Sequence, residues 1–397
     1  MRILLLCQKL PLPLEDGYNL RIQAYVRRLA ARHEIHLVSL DQGSMPADMQ
    51  ACFKSIRTAG IRKVPRATTL VQRVFQAFSA DHLHDFDPDV MRVVEEAAAS
   101  AEFDLIWVSG WKMLPYSRRL KNAPPVFGDV IDEGAQEAVV ELRKTRSPRD
   151  FLYRYKELCA IRGFERQYFA HLKVATLVSD ADGDAVKKTC GPRLDVRVVH
   201  NGVDPEFFAP QDVEPDHPSL IFEGSMSHPP NVEGIVLFCQ RVLPLIHDVL
   251  PNTRLWIVGR DPVAEVRALA GPNVEVTGFV DDVRPYLAKA TVFICPLVGG
   301  AGIKNKILQA WSMMKPVVAT TISSGGLESS GGENLIVADE PRDLANACLE
   351  LLGDEERRQE LGSNGRTTVL AHYSWDAKTR ELETLLEEVA GTSSKGA

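Results

Sequence analysis

The chain has 397 residues, 45% of them hydrophobic and 25% charged, a balance that suits two soluble domains with a core each. Its net charge of −7 conceals an asymmetry: residues 1–205 hold 30 Lys and Arg against 26 Asp and Glu, whereas the remainder hold 16 against 27. An acidic chain without a reader motif speaks against nucleic acid as a partner, and no apolar run approaches the length of roughly 18 residues that a membrane span needs.

The first seven residues, Met1 to Cys7, form too short an apolar run for a signal peptide and predict a first strand over Arg2–Cys7. A turn through Asp16-Gly17-Tyr18-Asn19 leads to a helix over Leu20–Arg32 and a strand over Glu34–Leu40. A further strand is expected at Ile61–Pro65, a helix at Val90–Ala101, and strands at Asp104–Val108 and Val126–Ile131. Asp129 and Asp132 stand near the end of the last of these. A long helical region from about 135 to 171 is expected to break at Ser147-Pro148. Strands at Val174–Ser179 and Val196–Val199 complete the first half.

Residues 201–217 are rich in Pro and acid and read as an interdomain linker. The strand and helix alternation then resumes. Strands are expected at Ser219–Phe222, Leu255–Val258, Val274–Val276, Thr291–Leu297 and Pro316–Ala319, with a helix over Asn231–Val249. A last helix, Trp375–Val389, precedes a Gly/Ser/Lys tail expected to be disordered. The order predicts α/β domains with mostly parallel, doubly wound sheets: residues 1–205, residues 206–374, then a C-terminal helix in 375–397. Seven cysteines, odd in number and never in a CxxC pair, are expected as free thiols in a reducing cytoplasm.

The strongest local signal is Gly299-Gly300-Ala301-Gly302-Ile303-Lys304-Asn305-Lys306 between an apolar strand and a helix. Glycines let backbone amides approach an anion, the first helical turn leaves N–H groups unpaired, and two lysines add charge. A diphosphate cradle and an ordinary strand-to-helix turn with solvated lysines are the two readings of this loop. Other glycines recur at strand ends: Gly17, Gly224, Gly259 and Gly278. Between 141 and 173, basic residues interleave with Phe151, Tyr153, Tyr155, Phe164, Tyr168 and Phe169. Such a stretch suits either a peripheral contact with an anionic membrane or a plain solvated helix surface.

Val199-His200-Asn201-Gly202-Val203-Asp204, Leu255-Trp256-Ile257-Val258-Gly259, Val276-Thr277-Gly278-Phe279-Val280-Asp281-Asp282 and the 299–310 segment together resemble the retaining glycosyltransferases of family 4, and Gly224-Ser225-Met226 with Pro229-Pro230-Asn231 resembles the branch that makes bacterial surface polysaccharides. The resemblance implies a GT-B fold, with two Rossmann-like domains facing each other across a cleft. It also implies a nucleotide-sugar donor, a glycan or lipid-linked acceptor and metal-independent transfer.

By the same resemblance, Gly278, Phe279 and Val280 would hold the base, and Gly299 to Ile303 the diphosphate, with Lys304 or Lys306 as its positive partner. Gly224 and Gly259 would line the donor site, and Gly17 would approach the donor from the first domain. The family's two glutamates, eight positions apart, fall at Ala301 and Gln309 here; Gln309 would still reach a ribose hydroxyl. Asp129 or Asp132 is the candidate polar group on the acceptor side, an ordinary strand-end residue being the other reading of each. A binding protein of this fold without turnover, or another activity such as an epimerase, stays open beside transfer.

Overall fold

Apolar runs such as Ile3–Cys7, Leu105–Val108 and Val292–Cys295 are buried along their whole length. That pattern is expected of parallel strands covered by helices on both faces, where no side of the strand meets water. In the computed structural model, which describes residues 1–11, 17–60, 86–131, 138–139, 142–143, 145, 147–214, 218–300, 302–329 and 331–391, these runs are the central strands of two sheets. The expected strand at Ile61–Pro65, Asp16, Asp132, Ala301 and the tail after Gly391 lie outside the described residues.

The chain divides into two compact units. One comprises Met1–His200 together with the chain from Thr379 onward, and the other Asn201–Lys378. The division falls inside the final helix, Trp375–Gly391.

The first unit holds β1 (Arg2–Cys7), β2 (Glu34–Ser39), β3 (Ser55–Thr58), β4 (Leu105–Ser109), β5 (Val126–Ile131), β6 (Val174–Leu177) and β7 (Asp195–Val198). They lie in the order β3-β2-β1-β4-β5-β6-β7, every pair parallel. The second unit holds β8 (Ser219–Glu223), β9 (Arg254–Val258), β10 (Val274–Gly278), β11 (Val292–Cys295), β12 (Val317–Ala319) and β13 (Ile336–Val337). Their order is β10-β9-β8-β11-β12-β13, again all parallel. Both sheets are therefore doubly wound and Rossmann-like, as expected, and each reverses direction of growth once, between β1 and β4 and between β8 and β11.

Three differences from the sequence reading have physical causes. β3 is short and none of its four residues is buried, with Ser55 and Arg57 half-buried and Ile56 and Thr58 exposed, so no apolar run marks it; its pairing with β2 (Leu37 beside Ile56) defines it. The helix expected over Asn231–Val249 is three pieces: Pro229–Leu237, a π-helical turn Phe238–Val242, and Leu243–His247. Pro244 lacks the amide that would continue the α ladder, so the turn before it widens. The glycine-loop helix, which the sequence predicts from Ile303, starts at Asn305, with Lys304 still extended at φ −91° and ψ 96°, because Gly300 and Gly302 turn the chain through positive φ just before it.

The segments entering and leaving the second unit pair with each other. Val203 N–H donates to the Tyr373 carbonyl at 2.8 Å, and Trp375 N–H donates to the Val203 carbonyl at 3.1 Å. Gly202 lies under the Trp375 indole, where a Cβ would sit 2.8 Å from the ring.

Candidate functional site

Open α/β sheets bind ligands beyond the carboxyl ends of their strands, at the point where strand order reverses. In the second unit that point lies between β8 and β11, which pair through Leu220 beside Val292 and Ile221 beside Phe293. The chain leaves β8 through Glu223-Gly224-Ser225 and leaves β11 through the Pro296–Lys304 loop, so both loops open at one place.

The three neighbouring strand ends are stitched together by backbone. Gly224 N–H donates to the Val258 carbonyl at 3.0 Å, and Gly259 N–H to the Gly278 carbonyl at 3.1 Å. The approach is so close that a Cβ on Gly259 would lie 1.7 Å from the Gly224 carbonyl oxygen. Glycine is required there by space as well as by φ +150°. Gly278 ends β10 at φ +71°, and Phe279 beyond it stands 70% exposed, with Val280 half-buried.

Lys306 joins the β8 loop to the glycine-loop helix. Its Nζ donates to the Glu223 carbonyl at 2.5 Å and to Asn231 Oδ1 at 2.9 Å, and it sits 4.3 Å from the centre of the Phe222 ring. Asn231 in turn donates from Nδ2 to the Ser225 carbonyl at 2.9 Å. A Cβ on Gly224 would lie 2.6 Å from the same ammonium, so this glycine makes room for the cation.

Lys304, only 9% exposed, folds back over its own loop and donates to the Gly302 carbonyl at 2.6 Å and the Gly300 carbonyl at 3.3 Å. Burial lowers its pKa below the usual lysine range; the nearby Cys295 thiol opposes that shift and Lys306 adds to it. Gly299 and Ile303 are half-buried beside it, Gly300 is exposed, and Pro230 lies 3.6 Å from where a Gly300 Cβ would be. Gln309, half-buried, follows Lys306 by three positions on the helix.

Two cations and the start of a helix thus converge on the reversal point of one sheet. Beside them stands a carboxyl group, that of Glu223, the last residue of β8. Burial raises its pKa above the usual range, against the pull of Lys306. Strand alternation alone gives no sign of this residue, nor of Gly234, whose Cβ would lie 2.7 Å from the Pro296 carbonyl and which lets the Pro229–Leu237 helix press on the base of the loop. Asn231 follows two prolines and is conspicuous for that, but its bond to Lys306 spans 75 positions.

In the first unit, the expectation for Asp129 needs correction. Asp129 is fully buried, and its oxygens accept from Arg21 Nη2 at 2.9 Å, Arg21 Nε at 3.1 Å and Thr176 Oγ1 at 2.8 Å. A carboxylate held this way has no face left for an acceptor. Arg21, also fully buried, sends Nη1 to the Val199 carbonyl at 2.9 Å and the His200 carbonyl at 3.3 Å. Burial works against its charge, but Asp129 and Tyr25 more than offset this, and its pKa rises above the usual range.

Gly17 is the first residue of the Gly17–Leu29 helix, and among the described residues a Cβ there would meet nothing within 4 Å. Tyr18 beside it donates to the Ser109 carbonyl at 3.0 Å, tying this helix to the end of β4. Among the described residues, no group of three or more His, Cys, Asp or Glu is placed to hold a metal ion, and no helix is long and apolar enough to cross a membrane.

Residues 217–354, which contain every element of this second-unit site, match the family model described as glycosyl transferases group 1. The lipopolysaccharide core biosynthesis glycosyltransferase LpsE of Rhizobium meliloti is 29% identical over 138 residues, covering 33% of this chain and 40% of that protein. The first relatives that the chain matches are covered over 40% to 58% of their own length.

Among solved structures, the sucrose-phosphate synthase of Thermosynechococcus elongatus superposes with a TM-score of 0.66 at 16% identity, over 99% of this chain and 100% of that one. HepE of Anabaena, solved with UDP and glucose, gives a TM-score of 0.62 at 15% identity, over 98% and 99%. Likeness of this kind speaks for the fold, which is that of the GT-B glycosyltransferases.

Proposed function

We infer, from residues 217–354 being a group 1 glycosyl transferase domain, that the whole chain is a glycosyltransferase that moves a sugar from a nucleoside-diphosphate donor to a glycan or lipid-linked acceptor. The reading includes retention of configuration at the transferred carbon and no metal requirement. The observation that carries it is the strand, glycine loop and helix from Val292 to Ser312, with Lys304 and Lys306 gathered over the sheet's reversal point.

Loss of a nucleoside diphosphate builds negative charge on the leaving oxygen, and fixed donors aimed at that charge lower the barrier most. Lys304 now holds two neutral carbonyls of its own loop. A diphosphate oxygen is the stronger acceptor, because bonds between charged partners are roughly twice as strong as neutral ones. In this reading Lys304 turns to the phosphate on binding, while Lys306, held by Glu223 and Asn231, supplies fixed field. The backbone of Gly278, Phe279 and Val280 would hold the base, and Gln309 a ribose hydroxyl. In the same reading the first unit would seat the acceptor.

Binding without turnover is the second reading. It is favoured by Gln309 standing where the resembling family carries a carboxylate. Titrating UDP, GDP and dTDP by calorimetry and then assaying hydrolysis of the matching sugar donors separates the two. Tight nucleotide binding with release of free sugar supports transfer. Binding with no hydrolysis, and no transfer to any acceptor pool, supports the second reading. No binding of any of the three removes both. A lipid-linked acceptor would bring the chain to the cytoplasmic face of a membrane, which the basic first half suits.

A further inference from the structure

The helix Pro148–Tyr168 is built in two halves of opposite character. Its buried residues, Leu158, Ala160, Phe164, Glu165 and Tyr168, all lie in the second half. Phe164 packs edge-on to Trp111 with ring centres 5.5 Å apart, fixing that half to the first unit. In the first half, none of the residues from Pro148 to Glu157 is buried. This half nevertheless carries Phe151, Leu152, Tyr153 and Tyr155, exposed by 49%, 66%, 64% and 51%.

Single exposed apolar residues need no explanation, but four within five positions concentrate exposed apolar surface on one short stretch, as interaction surfaces do. Phe151 and Tyr155, one turn apart, stack with ring centres 6.2 Å apart and planes 8° from parallel, so they present one aromatic face. The surrounding charge is one-sided. Arg143, Arg149, Arg154, Lys156, Arg162 and Arg166 are all at least partly exposed, whereas Asp150 and Glu157 are the acids with any exposure of that order from 147 to 168. Arg154 bonds Glu157 at 3.1 Å and lies 5.9 Å from the centre of the Tyr153 ring.

We propose that the Pro148–Glu157 half of this helix is a docking surface for an anionic phospholipid bilayer, with Phe151, Leu152, Tyr153 and Tyr155 entering the headgroup boundary and the flanking arginines and Lys156 meeting lipid phosphates. The chemistry favours a lipid surface over a protein partner. Tyr and Phe beside basic residues are the side chains that settle at a membrane interface, an apolar body inward and a polar tip or charge toward the headgroups. Basic residues next to such a helix add attraction to anionic lipid that salt weakens. The surface lies outside the donor site and rests on the transferase reading only for its purpose, which is to hold the chain where a lipid-linked acceptor would be.

The test uses the full chain and co-sedimentation with vesicles of phosphatidylglycerol and phosphatidylcholine in equal parts, against vesicles of phosphatidylcholine alone. Binding is expected to the anionic vesicles, weaker on the neutral ones and falling as salt rises. The fourfold variant Phe151→Ser, Leu152→Ser, Tyr153→Ser, Tyr155→Ser should lower the partition coefficient by about tenfold or more. Its affinity for nucleoside diphosphate should stay unchanged.

Leu152→Trp, a conservative change at an exposed position, gives a second readout: the fluorescence of the introduced indole should shift to the blue with anionic vesicles and be quenched by lipids brominated in the acyl chain. Equal binding by the fourfold variant, or an unshifted and unquenched signal from the Leu152→Trp variant, overturns the proposal. So does a chain that is dimeric in light scattering and becomes monomeric in the fourfold variant, since a second copy would then be the occupant. Vesicle binding is read without donor, so its failure leaves the transferase reading standing, and the converse holds too.

Discussion

Lys304 and Lys306 carry the same charge two positions apart, yet the structure gives them different attachments. Lys306 holds Glu223 and Asn231 from a distant part of the chain, whereas the carbonyls that Lys304 holds belong to its own loop. Lys304→Ala should therefore weaken nucleoside-diphosphate binding by on the order of 1.5–3 kcal/mol in titration calorimetry, with little loss of stability. Lys306→Ala should lose comparable affinity and also lower the urea midpoint, because it strands the acceptors of the β8 loop. Unchanged affinity in both variants would mean that the loop does not hold the diphosphate.

Glu223 gives a pH signature. Its folded-state pKa lies above the usual 4.5, so the folded protein keeps this proton longer than the unfolded chain. Its contribution to stability is then fully present below pH 4.5 and is lost as pH rises through the folded value. Glu223→Gln should remove that decline, leaving stability flatter across mildly acidic to neutral pH in denaturant titrations.

Asp129→Asn breaks a fully buried ion pair and should cost roughly 3–5 kcal/mol of stability. Nucleoside-diphosphate affinity, which the proposal places on the other unit, should be unaffected. Sequence alone shows where these residues stand along the chain. It does not show what they touch, because the partners of Asp129 lie 47 and 108 positions away and one partner of Lys306 lies 83 away.

At the level of strands and helices, the central strands are legible because a parallel strand covered on both faces must be apolar throughout. Edge elements are not, and β3 shows why: none of its four residues is buried, and its half-buried face is Ser55 and Arg57. The π-helical turn at Phe238–Val242 is also hidden, since it lies inside a stretch that reads as unbroken helix. The loops proposed to hold the donor form a connected set, so steric errors in one should spread to the next. Gly259→Ala would place a methyl against the Gly224 carbonyl. It should push the β8 and β9 loops apart, costing at least about 1–3 kcal/mol in denaturant unfolding, and weaken nucleotide binding even though Gly259 has no side chain to offer.

For the whole molecule, the division into two units assigns the last part of the chain to the first of them. Arg32 and His33 meet Glu383 there at 2.6 and 2.7 Å, and Leu382, Leu385, Leu386 and Val389 are buried along the final helix. Deleting residues 379–397 should lower the melting temperature of the first unit by several degrees. The second unit should keep its own transition and its nucleotide affinity, so calorimetry should show two events drawn apart. A single unshifted transition would mean that the final helix adds nothing to the first unit.

The same arrangement sets an order of events in the cell. As the chain emerges from the ribosome, its opening 200 residues appear well before the stretch that closes them. Nearly 180 further residues must be translated in between, about 10–40 s at ordinary elongation rates. Until that stretch is made, the nascent first unit waits with an apolar seam uncovered, while the second unit, contiguous from Asn201 to Lys378, can fold as it is made. Chaperone demand during biogenesis should accordingly fall on the half made first.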